Sequence, residues 1–387
     1  MISKSDFLLN PNVVFLNHGS FGATPRAIFD IYQEWQRKLE EQPVKFIARE
    51  LFGHLQETRE VLGKYLHTSA GNLVMIPNAT FGVNIISRSL KLQAGDEVLI
   101  TDHEYGACYN TWLFKAQRAG AKIIEQKIKL PVPSTTNLAE ELWKSISPRT
   151  KVIFLSHITS PTALTFPVKE ICQKARDEGI LTVIDGAHAP GQMDVDLTDI
   201  NPDFYVGNCH KWMLSAKGSG FLYTKEQHQD QLEPLVVSWG WGENSPYTTE
   251  SRFLNNLEWW GTKDPAAYLT VKAAVEFLEK HHWGSVQEHS NQLLSSALER
   301  VAQITRMPPA YPEYSRNHYH QMAIAPLPFR DRTEEFQADL YKHHHIEVPI
   351  IKWKDKVFAR ISIQAYNNEQ DIDSLAQALK ELLPKYL

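Results

Sequence analysis

The chain has 387 residues, 43 % of them hydrophobic, and a formal net charge of −5. That length supports one large core plus a smaller lobe, and the acidic balance leaves no basic stripe for nucleic acid. No stretch approaches the roughly 20 apolar residues of a membrane span. The N-terminal residues 1–19 lack a sustained apolar run and a cleavage signal, so a cytoplasmic location is expected. Cys108, Cys172 and Cys209 are widely separated and odd in number, which suits neither a disulfide framework nor a metal knuckle.

The elements follow in chain order. Val13–Leu16 is a short apolar run leading into Asn17-His18-Gly19-Ser20-Phe21-Gly22, where the asparagine and glycines predict a turn with close backbone approach. Pro25 predicts a helix start, with Ile28, Ile31, Tyr32, Trp35 and Leu39 as a core or interface stripe. A second helix is predicted over Glu50–His67 and a strand over Asn72–Ile76. Pro77–Asn84 then reads as a strand giving way to a helix. Free N–H groups and the positive dipole end suit that helix start to a phosphate, although an ordinary N-cap has the same appearance. Glu97–Thr101 is a strand ending in Asp102-His103-Glu104-Tyr105, and Lys151–Leu155 is a strand ending in Ser156–Thr162. Pro167–Glu178 carries Val168, Ile171, Cys172 and Ala175 on one helical face and stops at Gly179. It delivers the chain to a strand at Ile180–Ile184, a right-handed βαβ unit. After a strand at Asp203–Val206, Ser215–Tyr223 reads as a loop into an antiparallel strand. Asp264-Pro265 caps a helix that buries Tyr268, Leu269, Val271, Ala274, Val275 and Leu278, and a mixed α/β lobe follows. His343-His344-His345 project in different directions with no second ligand pair suitably spaced, so no metal is expected.

The chemistry is placed in Ile180–Trp212. One predicted strand ends in Asp185-Gly186-Ala187-His188 and the next in Gly207-Asn208-Cys209-His210-Lys211. Both put ionisable residues at the carboxyl edge of an α/β sheet, where ligands bind. An arbitrary buried Asp and Lys form a core ion pair. The alternative is a pyridoxal phosphate site, which needs a lysine to bond the cofactor aldehyde and a carboxylate to keep the ring nitrogen protonated. With DGAHA and NCHK together, the chain resembles the class V aminotransferase family of fold-type I pyridoxal phosphate enzymes. Its full pattern is most similar to the isopenicillin N epimerase-like branch.

The resemblance implies a large α/β domain over 21–262, with a mainly parallel seven-stranded sheet between helices. Residues 1–20 and 263–387 would form a smaller domain. It implies Lys211 as the catalytic lysine and Asp185 as the partner of the ring nitrogen. Ala79, Thr80, Asn208 and His210 would hold the phosphate, Asn208 standing where serine is commoner. Ser160 and His188 would approach the 3-hydroxyl side. Tyr105 would stack on the ring and exchange a proton, with His103 as the competing assignment. Asn17 and Arg360 would meet the carboxylate of an amino-acid substrate, Arg360 in the bidentate geometry a guanidinium suits. Gly261-Thr262-Lys263-Asp264 resembles a segment that reaches the neighbouring subunit's phosphate, so Thr262 implies a homodimer. Three reactions stay open: epimerisation, C–S lysis by β-elimination, and transamination. A persulfide-forming desulfurase is rejected, because the family's version needs a cysteine in the small domain and none follows Cys209.

Overall fold

The computed structural model describes residues 2–133, 137–242, 249, 251–311 and 318–387. Seven short apolar runs build one sheet: β1 Leu73–Ile76, β2 Glu97–Thr101, β3 Lys122–Gln126, β4 Thr150–Ser156, β5 Leu181–Asp185, β6 Phe204–Asn208 and β7 Gly220–Thr224. Their order is β1-β7-β6-β5-β4-β2-β3. All run parallel except β7, which is antiparallel to both its neighbours. The inner strands are buried almost throughout, as a parallel sheet covered on both faces requires. Strand β3, KIIEQ, lies at the edge and is half-exposed, and its two charged residues hid it from a reading based on apolar runs.

Two of the boundaries that differ from expectation matter to the site. Strand β5 includes Asp185, and β6 continues two residues beyond Val206, through Gly207 and Asn208. The extension has a cause outside the local sequence: Gly207 and Asn208 pair with Phe221 and Gly220 of β7. Asp185 and Asn208 are therefore held by sheet hydrogen bonding rather than by loops.

The C-terminal lobe contains an antiparallel sheet of β8 Met322–Leu327, β9 Ile350–Trp353 and β10 Lys356–Ser362, in the order β9-β10-β8. Helix Trp283–Thr305 packs on it and on helix Glu369–Leu382. The N-terminal segment joins this lobe: Val14 and Phe15 pair in parallel with Ile346 and Glu347, and Asn17 bridges to Ser362. Helix Ala266–Lys280 packs on helices Arg26–Glu41 and Leu51–Tyr65. At the β9–β10 hairpin, the Trp353 indole donates to the Asp102 carbonyl at 3.1 Å and Lys354 pairs with the Asp102 carboxylate. The hairpin thereby clamps the small lobe to the loop after β2. Among the described residues no helix is long and apolar enough to cross a membrane.

The segment expected as a turn with close backbone approach is a single helical turn, His18–Phe21, ended by Gly22 with a φ of 71°. A Cβ at Gly22 would lie 2.2 Å from the His210 carbonyl oxygen, so glycine is required both for the left-handed backbone and for the close approach. Gly22→Ala is expected to cost about 1–3 kcal/mol through strain and displacement. A melting temperature within about a degree of the parent's would contradict this.

Candidate active site

The site is built where the carboxyl ends of β5 and β6 meet the N-terminal segment and β10. Lys211 sits in a tight loop after β6. The Ser219 carbonyl accepts from the Cys209 and His210 N–H groups at 3.1 and 3.2 Å, and the Ser215 N–H donates to the Cys209 carbonyl at 3.0 Å. Trp212, Met213 and Leu214 are fully buried below it. The loop after β5 presses against the same backbone: Gly191 has a φ of 92°, and a Cβ there would lie 2.3 Å from the Trp212 carbonyl. From the other side the His18 ring nitrogens contact the Lys211 carbonyl at 3.1 Å and the Tyr366 hydroxyl at 3.0 Å. Burial lowers the pKa of His18 to about 3, so the ring is neutral and each nitrogen has one fixed role.

At the centre the Lys211 amine lies 3.1 Å from His188 Nε2. Burial lowers the Lys211 pKa to about 8; Asp185 opposes the shift and Arg360 adds to it. The amine thus feels both the carboxylate and the guanidinium. Asp185 is buried, which raises its pKa, while the Ala187 N–H on Oδ1 at 2.9 Å and the Lys211 charge lower it. Its Oδ2 lies 3.5 Å from the Cys108 thiol.

The start of helix Ala79–Ser89 faces the same edge. The Ala79 N–H donates to Asn208 Oδ1 at 2.8 Å and the Phe81 N–H to Asn78 Oδ1 at 2.9 Å. The Thr80 N–H and hydroxyl have no partner among the described residues, which leaves donors at a helix N-terminus. His210 lies beside them on the lysine loop; its Nδ1 donates to the Ser219 carbonyl at 2.8 Å, and burial lowers its pKa to about 4. Its Nε2 is left as the available ring atom.

Arg360 is buried, and its contacts are all neutral oxygens. Nη1 donates to the Ser160 carbonyl at 2.6 Å and to Ser160 Oγ at 3.3 Å, and Nη2 to Ser20 Oγ at 2.8 Å. Nε has no partner, and among the described residues no carboxylate pairs with the guanidinium. Burial lowers its pKa to about 10. Ser20 Oγ in turn donates to Asn17 Oδ1 at 2.5 Å, and Asn17 Nδ2 donates to Glu347 at 3.3 Å. Asn17 and Ser160 thus support Arg360. A buried cation with no anion beside it is costly, so a ligand carboxylate suits this position.

The two candidates after β2 are differently placed. His103 is fully buried, its ring nitrogens held by Thr162 Oγ1 at 2.6 Å and the Ile128 carbonyl at 2.9 Å, its ring 4.5 Å from that of Trp353. Tyr105 is 47 % exposed at the start of helix Gly106–Ala119. Thr262 is exposed on the surface.

Sequence reasoning did not single out four contributors. His18 and Trp212 lie inside motifs already noted, and their neighbours drew the attention. Cys108 and Glu104 reach Asp185 only across the sheet. Glu104 accepts from Thr101 Oγ1 at 2.6 Å and from the Ser156 N–H and hydroxyl at 2.9 and 2.6 Å, and Ser156 is the register partner of Asp185. Burial raises the Glu104 pKa from 4.5 to about 7, opposed by those hydrogen bonds. The folded state thus favours protonated Glu104. Its stabilisation is full below pH 4.5 and is lost as pH rises through 7. Glu104→Gln should therefore gain stability relative to the parent between those pH values, by at most about 3 kcal/mol. The buried histidines act in the opposite sense but cancel in the comparison. A difference in denaturation midpoint independent of pH would refute the assignment.

The profile of aminotransferase class-V matches residues 23–375. An isopenicillin N epimerase of Amycolatopsis lactamdurans is 35 % identical over 98 % of both chains. A putative L-cysteine desulfhydrase of Oryza sativa subsp. japonica is 27 % identical over 96 % of this chain and 83 % of its own length. In structure, an apo cysteine desulfurase of Thermococcus onnurineus NA1 superposes with a TM-score of 0.85 at 19 % identity, covering 99 % of this chain and 97 % of that one. The cystine C–S lyase C-DES, with its product cysteine persulfide, does so with a TM-score of 0.82 at 20 % identity, covering 96 % and 98 %. With the sheet order, the two strand-end motifs and these matches in agreement, the chain belongs to the class-V aminotransferase family.

Proposed function

We propose that this protein is a pyridoxal phosphate-dependent enzyme acting at the α-carbon of an amino acid or amino-acid-containing peptide, with epimerisation as its reaction. The observation that carries the reading is the convergence of Lys211, Asp185 and an acid-free Arg360 on one buried edge. The residues present fit the cofactor. Lys211 is an amine whose charge is weakened by burial, Asp185 is a buried carboxylate, and the Thr80 donors stand unpartnered at a helix N-terminus. Lys211 would bond the aldehyde and Asp185 would partner the ring nitrogen. Ala79, Thr80, Asn208 and His210 would hold the phosphate, and His188 would approach the ring hydroxyl.

Bound there, pyridoxal phosphate supplies an electron sink for the pair left at the α-carbon when its proton departs. The protein's residues do the rest. Arg360 takes the substrate carboxylate on its guanidinium, with Ser20, Asn17 and Ser160 fixing its orientation. Lys211 Nζ removes the α-proton; an amine titrating near pH 8 is a competent base at neutral pH. Inversion needs a proton delivered from the other face. We assign that to the Tyr105 hydroxyl, because both His103 nitrogens are occupied. The three cysteines are buried and free, and burial raises their thiol pKa values, Cys172 to about 12, which supports excluding a cysteine nucleophile. Unpaired thiols also support a reducing compartment such as the cytoplasm.

A homodimer belongs to the same proposal. Thr262 is exposed, as a residue reaching a neighbouring site must be, and Val236, Val237, Trp239 and Trp241 form a run of exposed apolar side chains.

Adding the cofactor should give a visible absorption band that Lys211→Ala abolishes; a band surviving in the variant removes the lysine from its role. Incubation of an amino-acid panel in deuterated water identifies the reaction. Deuterated enantiomer is the expected product, whereas pyruvate with released thiol would mark a lyase and a lasting pyridoxamine form a transaminase. Light scattering should give twice the 44.3 kDa chain mass, and a monomer would end the shared-site reading.

A further inference from the structure

The atom facing Lys211 is itself under control. His188 touches two groups through its ring nitrogens: the Trp212 indole donates to Nδ1 at 3.3 Å, and Nε2 lies 3.1 Å from the Lys211 amine. An indole nitrogen is a donor only. Nδ1 must therefore present a lone pair, and the proton of a neutral ring is confined to Nε2. A proton on Nε2 needs an acceptor, and the amine offers one only as –NH2, because an ammonium has no lone pair. Trp212 is held in turn: it is fully buried and its ring lies 4.9 Å from that of His18, which binds the lysine's own carbonyl.

We infer that Trp212 is a positioning residue that fixes His188 as the Nε2–H tautomer and so disfavours the ammonium form of Lys211. The charged and titratable groups around this chain are Asp185, Cys108 and Arg360 on the lysine side and His18, His210 and Arg360 on the histidine side. Of these, Asp185 favours the ammonium and Arg360 opposes it. The Nε2–H contact adds to the side that keeps the proton off. Burial depresses the ring's basicity well below its usual value, so the neutral tautomer persists across the physiological range. That Lys211 is the amine bonding the cofactor rests on the function proposed above; the tautomer does not.

The test uses the full chain free of cofactor, with 15N-labelled histidine. Two-bond proton–nitrogen correlations report each ring's tautomer, and His188→Gln assigns the signal. The expected result is neutral Nε2–H for His188 between pH 6 and 8, and loss of that bias in Trp212→Phe. A proton on Nδ1 in the unsubstituted protein would overturn the proposal, and so would an unchanged tautomer in the variant. A second readout follows the amine. Without the indole, His188 can turn an Nε2 lone pair toward an ammonium, so Lys211→Ala-sensitive acylation at pH 7 should slow about tenfold, a shift of about one pH unit. An unchanged rate also counts against the proposal. If phenylalanine disturbs folding, benzothienylalanine at position 212 keeps the ring volume and removes only the N–H. Failure of the cofactor reading would appear in the absorption band and leave the tautomer untouched, so the two are distinguishable.

Discussion

The structure is organised around one buried amine. Taking an ammonium out of water is expensive unless an anion and hydrogen bonds compensate. Around Lys211 the compensation is incomplete by construction: Asp185 favours the charge, while burial and Arg360 oppose it. The outcome is a lysine near pH 8 rather than 10.5, basic enough to take a proton and neutral often enough to attack a carbonyl. A fully paired Lys–Asp bridge at the same place would be more comfortable and chemically inert.

Keeping that balance requires geometry that short-range structure cannot provide. Asp185 ends β5 and Lys211 lies in the loop after β6, brought level by the parallel pairing of the two strands. The lysine loop is closed by its hydrogen bonds to Ser219 and packed from both sides by glycine-permitted backbone approaches at Gly22 and Gly191. The sheet therefore fixes the carboxylate, while the loop and the N-terminal segment fix the amine.

The site also joins segments far apart in the chain. Arg360 comes from β10, yet its partners Ser160 and Ser20 come from the loop after β4 and from the N-terminal segment. Tyr366, beyond β10, reaches His18 and through it the Lys211 carbonyl. Because acid-free burial is unfavourable for a guanidinium, the site without an anion beside Arg360 is under electrostatic tension. The cofactor scaffold shared across the family does not by itself set the reaction type.

Much of this was legible in the chain itself. Apolar runs ending in DGAHA and NCHK located the carboxyl edge of the sheet, where Asp185 and the loop carrying Lys211 lie. The antiparallel turn into β7 was readable from its glycines, and helix Ala266–Lys280 from its cap and buried stripe. Strand ends, the charged edge strand β3 and the supporting residues were not. Asn208 became a strand residue through pairing with Gly220, and Glu104 became a neighbour of Asp185 through Ser156. His103 and Tyr105, two positions apart, were equivalent in sequence; Thr162, Ile128 and Trp353 occupied one and left the other open. Local residue types determined which chemistry was present. Only the packing of distant segments decided which atoms were free to perform it, because burial and hydrogen-bond occupancy are set by neighbours the sequence does not place side by side.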